Sequence, residues 1–195
     1  MSPIDPPEDV SPLMAVLLER WVLTLATVPR PISATATPGE SAPDAAIAES
    51  DYPYATPLFY AVAEHLIATP TLVFASRPDS THGRHLGAGP TRCAAGLYLE
   101  SEDVSGLRGV QLRGEVALVE RWPGDAPDGL RAAYLRRHPG AAALLRPGAR
   151  ERLYGLALTW AKLTDNRRGF GHKQAWNFSP SIFGAPFEDP PHRSV

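Results

Sequence analysis

The chain has 195 residues, 44% of them hydrophobic, with a formal net charge of −2 and a single cysteine, Cys93. That length holds one domain with a substantial core and is short for two. The lack of a basic excess argues against a general nucleic-acid coat, which binds by releasing counterions, and one cysteine excludes an intramolecular disulfide or a cysteine-based zinc site.

Proline is the compositional outlier at 21 residues, roughly double ordinary usage. It crowds the N-terminus, the stretch from Pro29 to Pro57 and the tail, where it favours extended or irregular backbone. The acidic, Pro-rich start has no basic segment of a signal peptide. The longest apolar run, "LMAVLLERWVLTLATV", is broken by Glu19 and Arg20 and is too short to span a bilayer. The expectation is a soluble, cytoplasmic protein that binds neither membrane nor nucleic acid.

In chain order, "SPLMAVLLERW" predicts a helix, with Ser11 as cap, Pro12 in the first turn and Leu13, Val16 and Leu17 at helical spacing. Val22 to Val28 reads as a strand stopped by Pro29. Small residues and prolines from 31 to 51 predict a long loop insertion. Strand character resumes at "YPYATPLFYAVAEH", with Leu58, Tyr60 and Val62 on one face and Phe59 and Ala61 on the other. "TLVFAS" is a third strand. "STHGRHLGAG" reads as a short helix capped by Ser80 and ended by Gly87 or Gly89. "TRCAAGLYLE" and "LRGVQLRGEVALVE" form a strand pair across the turn "SEDVSG", and "APDGLRAAYLRRHPG" is a further helix. In "RLYGLALTWAKLT", a long last strand, Leu153, Leu156, Leu158 and Trp160 alternate imperfectly. About six mostly antiparallel strands and two or three short helices predict an α+β fold around a small barrel. It would occupy residues 11–178, between an arm (1–10) and a tail (179–195).

The familiar catalytic signatures are missing. There is no G-x-S-x-G and no phosphate-binding P-loop, and "GFGHKQ" lacks the third glycine of a dinucleotide fingerprint. His82 and His85 share a helical spacing without an obvious third metal ligand. Glu100, Glu102 and Asp103 read as a solvated turn, and Cys93 as a buried small hydrophobe. With no nucleophile or acid–base pair in view, any chemistry falls to a cofactor.

The order "TLATV", "YATPLFYAV", "TLVFAS", a helix ending in "GAGP", then "GVQLRGEV" resembles the FMN-binding split-barrel proteins related to pyridoxamine 5′-phosphate oxidase. The resemblance runs from about Leu23 to Trp176. "GVQLRGEV" together with "LTDNRRGFGHKQAW" is similar to a small bacterial branch with a TDN..GFG.K..W ending. The resemblance implies a homodimer with FMN in its interface and a small-molecule substrate. Tyr54, Ala55, Thr56, Pro57, Leu58 and Phe59 would line the isoalloxazine and ribityl chain, Ala75 and Ser76 would face the flavin, and Gln111 would meet its polar edge. The family's Ser-Arg-Lys phosphate motif falls on Ser80, Thr81 and His82, so the two cations are replaced here. Arg77, Arg84, His82 or helix amides would then have to supply the donors. Arg167, Arg168 or Lys173 would reach an anion, and Phe170 or Trp176 would cover the ring. As alternatives, Ser80 is only a helix cap, His82 and Arg84 lie on a solvated face, Gln111 is an exposed strand residue, Tyr54 and Phe59 are core or interface aromatics, and the basic ending is a solvated loop.

The function implied is an FMN-dependent oxidoreductase acting by hydride transfer at the flavin. Pyridoxamine phosphate oxidase activity itself is not implied, because the Arg-x-His substrate motif is missing. The alternatives are a barrel that holds deazaflavin or haem, with His82 as an axial ligand, and a dimeric binding protein with no catalysis.

Overall fold

A computed structural model describes residues 9–29, 52–63, 69–87 and 89–178. Most of the Pro-rich arm, the 31–51 insertion and the 179–195 tail lie outside the described residues. The elements are α1 (Ser11–Glu19), β1 (Val22–Thr27), β2 (Tyr54–Ala63), β3 (Thr71–Ser76), α2 (Thr81–Leu86), β4 (Thr91–Leu99), β5 (Arg108–Leu118), α3 (Ala126–Arg137), β6 (Arg152–Asp165) and β7 (Lys173–Asn177). None of the described helices is long and apolar enough to cross a membrane.

The strands run in the order β3-β2-β1-β4-β5-β6-β7, and a second pairing, β3 with β6, closes the first six into an antiparallel barrel. Closure depends on the length of β6, which has 14 residues. One edge pairs with β5 from Tyr154 to Asp165. The other is divided: Arg152 to Ala157 pair with β3, and Trp160 to Thr164 pair with β7. Every barrel strand therefore has two neighbours, and no long edge is left among these six to recruit another chain.

Two expectations are corrected. The segment read as a C-terminal loop contains a seventh strand, β7. Only Trp176 of its five residues is buried, so it carries no apolar alternation to detect. Ser11 does not cap α1. The cap position is Val10, and the Asp9 carboxylate accepts the Ser11 amide at 2.9 Å, doing the work expected of a capping hydroxyl. The imperfect alternation of β6 also has a cause. Arg113 pairs with Trp160 but the next residue, Gly114, pairs with Leu158, so Thr159 is the extra residue of a β-bulge.

Inward-facing residues, including Leu25, Tyr60, Leu72, Phe74, Leu112, Val116, Tyr154 and Leu156, fill the barrel. Leu13, Val16 and Leu17 of α1 join this core beside the start of β1, where the Tyr60 hydroxyl donates to the Leu17 carbonyl at 2.6 Å. Leu86 of α2 also joins it. Outside, α3 lays Leu130, Ala133 and Tyr134 over Ala61, Ala63, Val73 and Ala157 of β2, β3 and β6. Each large side chain so buried contributes on the order of 1.5–3 kcal/mol. Among the described residues, no helix packs on the opposite outer face, on β1, β4 and β5.

Gly114 stands at the bulge because a side chain there would press into the Ala157 carbonyl and the Leu156 side chain, whereas Gly140 has open space around it. Gly114→Ala is expected to lower stability by about 1–3 kcal/mol, as overpacking does. Gly140→Ala should stay within about 0.5 kcal/mol of the parent. Urea melts of the two variants provide the comparison.

Candidate functional site

Period-two alternation points Thr24 and Ala26 of β1, Ala94, Gly96 and Tyr98 of β4, and Gln111 and Arg113 of β5 away from the core. Register places them side by side: Pro57 opposes Thr24, Thr24 opposes Gly96, Gly96 opposes Gln111, and Gln111 opposes Lys162. Because the middle of this face is alanine, glycine and threonine, it sinks into a groove of about 460 Å³, lined by Thr24, Ala26, Ala94, Gly96, Tyr98, Leu107, Gly109, Gln111 and Thr164 among others. The floor at Gly96 is open: a Cβ there would meet only the Val110 carbonyl, at 3.8 Å. Tyr98 (62% exposed) and Leu107 contribute aromatic and aliphatic surface. Across β5, the Arg113 guanidinium lies 4.8 Å from the Trp160 ring centre and the Lys162 ammonium 5.8 Å from it.

A second cluster gathers around α2. Ser80 caps the helix by accepting the Gly83 amide at 3.1 Å. His82 is buried; its Nε2 lies 2.5 Å from the Ser76 hydroxyl and 3.3 Å from that of Ser80. Burial first, and the neighbouring His85 second, hold the His82 imidazole below the ordinary histidine range, so it is neutral near pH 7. Tyr54 stacks on His82 and meets His85 edge-on, both with ring centres 6.3 Å apart. His85 Nδ1 is 3.0 Å from the Thr27 hydroxyl. The two arginines are engaged locally. Arg77 forms a two-pronged pair with Asp79, which pushes the Asp79 carboxyl below its usual range. Arg84 donates to the Asp79 carbonyl at 2.6 Å and to the Thr81 hydroxyl at 3.3 Å.

The remaining predicted residues are dispersed. Tyr54, Ala55, Pro57 and Phe59 are exposed along β2, while Thr56, Leu58, Ala75 and Thr81 are half-buried. Arg168, Phe170 and Lys173 stand on the β6–β7 hairpin, and Phe170 is 86% exposed. That hairpin is built as a turn: the Asn166 side chain donates to the Val104 carbonyl at 2.6 Å and accepts the Gly171 amide at 3.0 Å. Gly169 and Gly171 supply its positive φ angles, 124° and 75°. Arg167 is held by Asp165 through two 3.0 Å hydrogen bonds. Trp176 is fully buried in the barrel core, its indole N–H donating to the Asp9 carbonyl at 3.1 Å. The structure thus places Gln111 in the groove, and Ser76, Ser80 and His82 in one hydrogen-bonded group. Arg113, Trp160 and Lys162 were not singled out from the sequence; alternation from Gln111 would have found Arg113, but the bulge hides Trp160 from that count. No three His, Cys, Asp or Glu among the described residues are grouped to hold a metal.

Because the folded protein depresses the His82 pKa, the unfolded chain binds more protons between the folded value and the ordinary 6.5. Stability is therefore expected to fall as pH drops below about 6.5, levelling off below the folded pKa. The slope should not exceed about 1.4 kcal/mol per pH unit, the value for one proton. Urea midpoints from pH 7.5 to 5 should show this decline, and it should be weaker in His82→Gln.

No family model matches this chain. Among curated proteins it is 37% identical over 94 residues to a UPF0306 protein of Citrobacter koseri, covering 48% of this chain and 59% of that one. It is 34% identical over 98 residues to the UPF0306 protein YhbP of Salmonella paratyphi C, covering 50% and 61%. The match thus spans less than two thirds of either relative's length. Among solved structures, a heme binding protein from Mycobacterium smegmatis superposes with a TM-score of 0.61 at 21% identity, over 89% of this chain and 60% of that one. A pyridoxamine 5′-phosphate oxidase-related, FMN binding protein from Nostoc punctiforme superposes with a TM-score of 0.51 at 14% identity, over 88% and 97%. The chain has the α+β split-barrel fold of the pyridoxamine 5′-phosphate oxidase-related proteins, and about half of it is similar in sequence to the UPF0306 proteins.

Proposed function

We propose that this chain binds FMN against the β1, β4 and β5 face of its barrel, as a homodimer in the cytoplasm, and is an oxidoreductase acting on a small molecule. The observation that carries the reading is the groove itself. Its Ala26, Ala94 and Gly96 floor leaves room for a flat ring, and Gln111 offers it one side-chain amide that both donates and accepts. Likeness of fold to an FMN binding protein supports the same reading. FMN, when bound, supplies hydride transfer to or from the small molecule.

The residues of the chain would divide the work. The apolar floor excludes water from one ring face, and Gln111 orients the polar edge. The phosphate is the less well served end. Neutral His82 brings no charge, so Arg77 and Arg84 would have to exchange their Asp79 contacts for it. A second copy of the chain would cover the face and bring up its own hairpin, with Arg168, Phe170 and Lys173.

A haem reading has one observation in its favour, the likeness of fold to a heme binding protein at a TM-score of 0.61. The axial ligand it needs would be His85 in preference to His82. Nε2 of His82 is engaged by Ser76, whereas the described contact of His85 uses Nδ1.

The purified protein is expected to show, or to acquire on titration, the absorption of bound flavin, with saturable quenching of FMN fluorescence. Gln111→Ala should weaken that binding by about tenfold, equivalent to about 1.4 kcal/mol, and light scattering should report twice the chain mass. A Soret band without flavin would favour the haem reading, with His85→Ala as its check. Neither flavin binding nor a Soret band would leave a non-catalytic binding protein.

A further inference from the structure

Outside the groove and away from α2, β5 and β6 carry a second built feature. Arg113 and Trp160 are cross-strand partners, and so are Gln111 and Lys162 in the adjoining row. The two cations flank one indole, at 4.8 and 5.8 Å from its centre. Contact with the ring face orients both charges. Among the described residues, neither has a carboxylate within ion-pair distance. This contrasts with Arg77, Arg108 and Arg167, each of which is neutralised by Asp79, Glu19 or Asp165. The nearest carboxylate along β5 is Glu115, in the row beyond Arg113, opposite Ala157 and therefore on the side away from Lys162.

Two like charges held against one ring repel each other, and a chain with net charge −2 has carboxylates in plenty to relieve them. The arrangement leaves that relief to something else. Beside it, the alanine and glycine floor of the groove offers a flat apolar surface, with the Gln111 amide between. We infer that Arg113, Lys162 and Trp160 form an anion subsite at the rim of the groove, taking the carboxylate or phosphate of a planar aromatic ligand whose ring lies over Ala94 and Gly96. The anion is shared between a guanidinium fork and a point ammonium charge, each on a different strand, so ligand length and charge are read together. The same chemistry is presented by an anionic substrate and by the phosphate of a flavin. The inference uses the groove of the proposed function but not the identity of its cofactor.

The test is calorimetric titration of the full-length chain with 2-naphthoate and with its uncharged isostere 2-naphthamide, and in parallel with FMN and riboflavin. The double variant Arg113→Gln/Lys162→Gln, at one exposed and one half-buried position, keeps polar side chains at both. Trp160→Phe identifies which indole responds, through loss of ligand-induced fluorescence quenching. Naphthoate should bind at least about tenfold more tightly than naphthamide, the preference should shrink with added salt, and the double variant should abolish it. If the double variant instead removes a preference for FMN over riboflavin, the anion is the cofactor's phosphate and the subsite stands. Equal binding of charged and uncharged ligands in both pairs, or a preference that survives in the double variant, overturns the inference. A protein that binds no flavin yet prefers naphthoate would sink the FMN reading and keep this one.

Discussion

The pairing of β3 with the first half of β6 is the constraint on which the rest of the structure depends. Without it the sheet would be an open ribbon with β3 exposed at one edge. With it, the barrel has an inside, and the inward side chains of all six strands share one core. With the barrel core on one face and the α3 cluster on the other, β6 is buried on both faces over Leu153 to Leu158, an apolar run that a strand with one solvated face could not carry. The bulge at Thr159 follows from the same double duty. It re-aims the strand just where β3 ends as a partner and β7 begins, and it brings Trp160 opposite Arg113 on the outside.

Closure also divides the outer surface. The side of β2, β3 and β6 is apolar enough to hold α3, and Val73, Ala61 and Ala157 are buried beneath it. The side of β1, β4 and β5 has small residues in place of large ones, and none of the described helices packs there. A barrel that lacked a use for that face would be expected to cover it or to charge it uniformly. Instead it is hollow in the middle, with one amide, the exposed Tyr98 and two cations that have no carboxylate partner among the described residues around the hollow. This asymmetry is what ties the fold to the function proposed for it.

Much of the fold was legible because β1, β4 and β5 alternate and the apolar strands are bounded by turn residues. Thr71 to Ser76 matches its predicted span, and Ser80 and Gly87 bracket α2 as their types require. What could not be read were features set by tertiary partners. β7 exists because β6 offers it a free edge, and its own residues, apart from Trp176, are polar or small. Ser11 does not cap because the cap position falls on Val10, and the Asp9 carboxylate two residues before Ser11 accepts the Ser11 amide. At the site, Gln111 was legible as a polar residue within an alternating strand. Charged residues near a Gly-Phe-Gly drew attention to the hairpin, but their pairing could not be foreseen: Asp165 occupies Arg167, while Arg113 has no such partner among the described residues.

That difference in pairing decides which cations are available. An arginine already bound two-pronged to a carboxylate gives up a charge-assisted pair to take a ligand, so its net gain is small. Arg77 and Arg167 are in that position, and both have pKa values raised by their aspartates. Arg84 is tied to backbone and hydroxyl oxygens instead. Among the described residues, Arg113 and Lys162 have no carboxylate to lose, and their cation–π contact with Trp160 persists when an anion approaches from the solvent side. Of the cationic ending that stands out in the sequence, Arg167 is thus spent within its own turn, while Arg113 and Lys162 sit on β5 and β6 beside Gln111.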